Sequence, residues 1–289
     1  MPSRLKVHKS LFDKTFAAGN TSGYYLILQT GQQSISYSVF NPVSQKYIAF
    51  ESFFISGTDP NNTEAEFLKA LMEEKVWLKQ SFSKVFLLID NSYSTLIPPP
   101  LFDENKTMTY LRFNHPANES YHALFNRLKT SNTVTVFGAP QTLTEFTQNV
   151  WPNIRFFHCA SVIIESLLIN FKNKADSQTL FLNVRDEGYD LVYFKDNKLQ
   201  FHNFFRYNTK EDFIYFLLTT IEELHLNPEQ VKLMLSGNID KSHILYEMIY
   251  RYIRTIFFIE RTDVFGYSYL FDELMSHKYY TLFNVQQCE

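Results

Sequence analysis

Apolar residues in the first third of the chain cluster in short runs divided by polar turns, with a two-residue alternation in the second run. Segments 24–30 (YYLILQT), 34–40 (SISYSVF) and 46–55 (KYIAFESFFI) are rich in β-branched and aromatic residues. Short polar turns separate them, one carrying Asn41-Pro42. Connections this short join antiparallel neighbours, so the pattern predicts a three-stranded meander. The period then changes. Phe67, Leu68, Leu71, Met72, Val76 and Leu78 recur at helical spacing behind Asn62 or Thr63 as N-cap, with Glu64 and Glu66 in the first turn. Residues 85–90 (VFLLID) follow as a short, nearly all-apolar strand of the kind buried on both faces.

The same succession restarts near Gln178. Strands at 179–184, 189–194 and 198–205 form a second meander, and a helix over 209–224 is capped by Thr209 with Glu211 and Asp212 behind it. A strand at 231–235, a helix over 240–254 and the closing strand IFFIE (256–260) complete it. Both halves therefore read βββαβα, a duplication at the level of fold with little residue identity. Between them lie strands at 134–139 and 154–158, a helix near 143–150 and a long apolar helix over 161–171. Residues 92–130, with three prolines at 98–100, do not fit the repeat and read as an insertion packed on the first domain. A chain of 289 residues exceeds the usual single domain. The division predicted is a first domain over 1–172 and a second over 173–289.

Composition narrows the function classes. Apolar residues at 45% against 20% charged describe a globular chain, and a net charge of −3 gives no electrostatic reason to expect nucleic acid. The basic run at 4–9 is short and terminal and reads as a solvated tail. No segment approaches the ~20 apolar residues that span a bilayer, since ASVIIESLLINF is broken by Glu165. The N-terminus lacks the apolar stretch of a secretory signal, and Cys159 and Cys288 read as free thiols in a reducing compartment. The expectation is a cytoplasmic protein with no membrane partner.

A duplicated βββαβα unit around a central cleft resembles the actin-like ATPase superfamily, an α/β fold of two ribonuclease H-like domains. Its members include sugar kinases, chaperone ATPases and the actin-like proteins of pilus assembly. The resemblance covers about residues 24–260. Segments 93–102 (YSTLIPPPLF), 110–115 (YLRFNH) and 279–289 (YYTLFNVQQCE) are more closely similar to an uncharacterised bacterial domain-of-unknown-function family with this fold. Membership assigns no activity, because a fold is not a function.

The resemblance implies ATP and Mg²⁺ as cofactors. The first hairpin of each half would hold phosphates, and a glycine turn late in the second half would hold adenosine. In the first hairpin the matching positions are Gln29, Thr30 and Gly31. Gly31 keeps the turn, and Thr30 or Ser34 could bond a phosphate, but Gln29 is neutral and cannot replace a carboxylate beside Mg²⁺. In the second hairpin Asn183 takes the place of the second aspartate, followed by Val184 and Arg185. A slipped register would bring Asp186 or Asp190 into that role, and Arg185 favours an anion; the alternative is a solvated turn with Gly188 at its corner. Ser236, Gly237 and Asn238 are the adenosine candidate, with Asp240 as cap of the next helix, and also make an ordinary strand-to-helix turn. Asp90 closes the buried strand and would act as a base or orient water, or else cap the polar turn after it.

Other chemistry is thin. The eight histidines are scattered, and neither G-x-S-x-G nor a P-loop occurs, so no metal set and no hydrolase motif is assigned. Aromatic residues at 201–207 (FHNFFRY) are dense enough to reach an interface. Two functions remain. One is a non-catalytic scaffold that binds a protein partner, with weak or no nucleotide binding. The other is an active ATP-dependent sugar kinase or ATPase with a shifted metal site. A homo-oligomer assembled through sheet edges or aromatic patches is a further structural reading.

Overall fold

The computed structural model describes residues 5–55, 63–176 and 178–289, and Asn62, one of the two cap candidates, lies outside them. The chain divides into two compact units. The first comprises Met1–Leu128, Asn132–Ser161 and Asp263–Glu273, and the second comprises Lys129–Ser131, Val162–Thr262 and Leu274–Glu289. The division thus falls inside a helix at 161/162, where the sequence placed it at 172/173, and a later segment returns to the first unit.

The first unit runs β1 (Leu5–Phe12), β2 (Tyr25–Thr30), β3 (Ser34–Asn41), β4 (Lys46–Ile55), α1 (Glu64–Glu74), β5 (Lys84–Ile89), β6 (Ser94–Ile97), α2 (Thr107–Asn114), β7 (Tyr121–Leu128), β8 (Thr133–Pro140), α3 (Gln141–Val150) and β9 (Arg155–His158). Helix α4 (Cys159–Phe171) carries the chain into the second unit: β10 (Thr179–Arg185), β11 (Gly188–Lys195), β12 (Lys198–Arg206), α5 (Lys210–Glu223), β13 (Lys232–Gly237), α6 (Ile244–Tyr250) and β14 (Thr255–Phe258). The short β15 (Gly266–Tyr267) returns to pair with β4, and α7 (Tyr280–Asn284) lies near the C-terminus.

The main sheets have the orders β1-β4-β3-β2-β5-β9 and β12-β11-β10-β13-β14. Once β1 is set aside, the two coincide strand for strand. An antiparallel meander leads into two parallel strands, each reached over a helix, as the repeated βββαβα pattern requires. In the first unit Leu26, Leu28, Tyr37, Leu68 and Leu71 build the core; in the second Leu182, Leu191, Phe213, Leu217 and Leu235 do. All ten have no exposed surface. Thr209 caps α5 in a capping box, its side chain accepting from the Asp212 amide while Asp212 accepts from the Thr209 amide.

Several local expectations change. The basic stretch near the N-terminus is no solvated tail from Leu5 onward. It forms β1, antiparallel to β4, with Leu5 and Leu11 buried, while Val7 projects outward. An edge strand rich in lysine resists pairing with another chain, which explains a strand that reads as a tail. Helix α1 stops at Glu74: Lys75 leaves helical geometry, a 3₁₀ turn over Val76–Lys79 follows, and Val76 is exposed while Leu78 stays buried. Thr63 is its N-cap by backbone geometry but makes no side-chain cap bond. Helix α6 begins at Ile244, because Asp240 closes a turn with Ser242 and it is the His243 ring that accepts from the Leu245 amide. The insertion extends past 130. Strand β8 completes the separate sheet β6-β8-β7, which has its own small core of Leu111, Val134 and Val136. Of the aromatic run at 201–207, Phe201, Phe205 and Tyr207 are partly buried and pack against the second unit's core.

Candidate functional site

The two hairpins can be aligned by register. In the first, the Gly31 amide donates to the Ser34 carbonyl (3.0 Å) across the tip residues Gln32 and Gln33. In the second, Arg185 pairs with Gly188 across Asp186 and Glu187. Gly31 therefore corresponds to Arg185, and two residues back Gln29 corresponds to Asn183. There is no slip, since Asn183 pairs with Asp190 just as Gln29 pairs with Ser36.

At the first hairpin, Gln29 Nε2 donates to Asp90 Oδ2 (3.0 Å), and the Asp90 amide donates to the Thr30 carbonyl (2.9 Å). Thr30 Oγ1 is buried with no hydrogen-bond partner. Asp90 stands at the carboxyl end of β5, yet the residue that closes the following turn is Asn91, whose Oδ1 accepts from the Tyr93 amide (2.8 Å). Asn91 is fixed in turn. Its Nδ2 donates to the Gly138 carbonyl (3.0 Å), and fully buried His158 donates from Nε2 to its backbone oxygen (3.0 Å). The Ala160 amide donates to His158 Nδ1 (3.1 Å), which selects the neutral Nε2–H tautomer.

At the second hairpin, Asn183, Arg185, Asp190 and Ser236 come together as buried polar groups, and His202, from β12, joins them. Arg185 sits 2.9 Å (Nε–Oδ2) and 3.1 Å (Nη2–Oδ1) from Asp190, and His202 Nε2 is 3.1 Å from Oδ1. Asn183 Nδ2 donates to Asp190 Oδ2 (3.2 Å) and its Oδ1 accepts from Ser236 Oγ (2.9 Å). The Arg185 guanidinium lies over the Phe204 ring, 4.1 Å from its centroid. Complete burial alone would raise the Asp190 pKa, but the Arg185 charge and the bonds from His202 and Asn183 outweigh it and hold the carboxyl below the usual carboxylate range. His202 and Phe204 were not anticipated as site residues from sequence. They face Val192 and Asp190 across β11/β12, a pairing that emerges only with the strand register.

The third segment is joined to the second. Asn238 Nδ2 donates to Asp186 Oδ1 (2.9 Å) and the Asn238 amide to the Val184 carbonyl (2.9 Å). Gly237 has φ +82°, and a Cβ there would stand 2.0 Å from the Val184 carbonyl oxygen. The backbone itself demands glycine at this turn.

The carboxylates that Mg²⁺ would require are few at these hairpins. The ion takes hard oxygen ligands in an octahedron, usually through carboxylates and phosphates. Positions 29 and 183 are carboxamides, Asp190 is already bonded on both oxygens, and Asp186 is engaged by Asn238. Among the described residues, no three His, Cys, Asp or Glu side chains are grouped to hold a metal ion.

Sheet order, duplication and hairpin placement define a protein of the actin-like ATPase fold, and solved structures agree. A Bacteroides thetaiotaomicron protein with this fold and unknown function superposes with a TM-score of 0.75 at 25% identity, over 85% of this chain and 94% of that one. The PilM–PilN type IV pilus biogenesis complex contains a chain that superposes with a TM-score of 0.61 at 13% identity, over 92% of this chain and 98% of that one. Residues 13–256 match the family described as "Protein of unknown function (DUF3822)", and the chain belongs to that family. No curated protein matches the chain significantly. Among the described residues, no helix is long and apolar enough to cross a membrane.

Proposed function

We propose that the chain is a non-catalytic scaffold on the actin-like ATPase fold, binding a protein partner and having weak or no affinity for nucleotide. One observation carries the reading: Gln29 and Asn183 stand where phosphate-transferring members of the fold place carboxylates, and Asp190, a buried acid beside Asn183, is neutralised by Arg185. With carboxamides at these two positions, the magnesium of a nucleoside triphosphate loses the two charged ligands expected of the hairpins. The Gly31 amide is also engaged within its own turn. Gly237, the remaining nucleotide-like feature, is accounted for by its backbone conformation. A structure of the same fold is a protein–protein complex, PilM–PilN, so the architecture accommodates a binding role.

The rival reading, an ATP-dependent sugar kinase or ATPase, draws on Asp90 at the end of β5 and on the unpartnered Thr30 hydroxyl. Titration calorimetry and thermal melts with millimolar Mg-ATP separate the two. A ligand at 100 times its Kd stabilises by about 2.7 kcal/mol, roughly a 5–10 °C rise in Tm for a chain of this size. The scaffold reading expects no shift and no phosphate release. Saturable Mg-dependent binding, or turnover abolished by Asp90→Ala, refutes it.

A further inference from the structure

Asp190 has no exposed surface, and three side chains each donate one hydrogen bond to its carboxylate, with the Arg185 Nε a further ion-pair contact. Arg185 reaches both oxygens, at 2.9 and 3.1 Å; His202 adds an imidazole N–H at 3.1 Å and Asn183 a carboxamide N–H at 3.2 Å. The donors are held in place from behind. The guanidinium plane rests on Phe204, and the Asn183 carboxamide is oriented by the Ser236 hydroxyl. A guanidinium set beside further N–H groups around one carboxylate is an arrangement proteins use to bind free oxyanions. Here the anion is a side chain of the same strand pair. At the corresponding point of the first hairpin stands Ser36, opposite Gln29, and Gly31 takes the place of Arg185, so this receptor belongs to one repeat only.

We propose that Arg185, His202 and Asn183 form an oxyanion receptor filled internally by Asp190, and that removing this carboxylate opens a site for a small monocarboxylate. The inference goes beyond the scaffold reading, because it concerns what these three donors bind whatever the partner of the chain is. Aspartate differs from alanine by one carboxylate group, so Asp190→Ala creates a vacancy the size of formate. Acetate carries an additional methyl that meets the β-carbon remaining at position 190.

The test is thermal unfolding of the full chain as Asp190→Ala, in sodium formate and in sodium chloride at equal ionic strength. In chloride the variant melts below the wild type, because a buried guanidinium has lost its counter-charge. Formate raises its Tm saturably, acetate less so. Wild type, Asp190→Asn (in which the vacancy stays filled) and the double variant Arg185→Gln/Asp190→Ala do not respond. Stability of Asp190→Ala equal to wild type in chloride overturns the proposal. So does a formate shift common to all four proteins, which would be a general salt effect, or a response of Asp190→Ala no larger than that of Asp190→Asn. If Asp190→Ala is recovered only unfolded, refolding yield becomes the readout: more folded protein in formate than in chloride supports the receptor, and equal yields overturn it.

Discussion

A Gly237→Ala substitution places a Cβ 2.0 Å from the Val184 carbonyl oxygen and 2.9 Å from the Val184 carbonyl carbon and amide nitrogen. All three neighbours are backbone of β10, so no side chain can swing aside, and strand or turn must move by roughly an ångström. Three costs accumulate. The left-handed conformation, φ +82°, costs an L-residue about 1–2 kcal/mol. Moving the Val184 carbonyl weakens the hydrogen bond it accepts from the Asn238 amide, worth about 1 kcal/mol. Displacing β13 also disturbs the Leu233 and Leu235 positions in the core. A total of about 2–4 kcal/mol corresponds to a Tm loss of roughly 4–16 °C in a chain of this size. Both tryptophans, Trp77 and Trp151, belong to the first unit, so far-UV circular dichroism and hydrogen exchange of peptides spanning 179–185 and 232–237 are the suitable readouts. Gly23→Ala is the control. No atom lies within 4 Å of its added Cβ and its φ is not positive, so its effect stays within about 0.5 kcal/mol. Equal Tm values for the two variants would refute the assignment of Gly237 to backbone geometry and would return it to the nucleotide-site candidates.

Three further outcomes follow from the packing. Glu51 is buried and accepts from the Tyr37 hydroxyl, with Lys75 Nζ at 3.1 Å as its counter-charge. Lys75→Met leaves that carboxylate uncompensated and costs about 2–3 kcal/mol by urea denaturation; an unchanged midpoint would mean that the pair contributes nothing. Phe213, wedged between Tyr189 and Tyr207 at ring-centroid distances of 4.6 and 5.2 Å, loses about 3–5 kcal/mol as Phe213→Ala in the same assay. Stability should also fall in acid through Asp190. Its folded pKa lies below the unfolded value of about 4, so its contribution is complete above that value and is lost as pH falls beneath it. Acid titration of Asp190→Asn should give a flatter stability curve below pH ~4 than wild type, and parallel curves would refute the linkage.

Strand and helix identities were legible because β-former runs and helical spacing are local to each element. The β-former runs of β2, β3 and β4 with their short polar turns, and the Thr209–Asp212 capping box at the head of α5, need only neighbours in sequence. What escaped depends on partners remote in the chain. β1 shows its identity only beside β4, since Lys6, His8 and Lys9 leave it few apolar positions of its own. The spacing that extends α1 to Leu78 is satisfied by a 3₁₀ turn that buries Leu78 but turns Val76 outward. At the candidate site, the neutral residues at 29 and 183 were visible directly. The closed circuit of Asp190 with Arg185 and His202 was not, because His202 enters from a third strand. One signal was present: charged residues at 185 and 190 fall on a single face of strands whose other positions are almost all apolar, and a buried charge needs a partner.

The three-stranded sheet between β5 and α3 leaves and rejoins the fold at neighbouring points. Ser94 pairs with Phe137, the Gly138 amide donates to the Tyr93 carbonyl (2.8 Å), and the Asn91 side chain bonds the Gly138 carbonyl. The second unit makes the same strand-to-helix passage, β13 to α6, with residues 238–243 alone. The chain thus contains its own shortened version of the crossover. That loop offers a template for splicing Asp90 to Gln141, a deletion that would separate whatever the excised module does from the folding of the remainder.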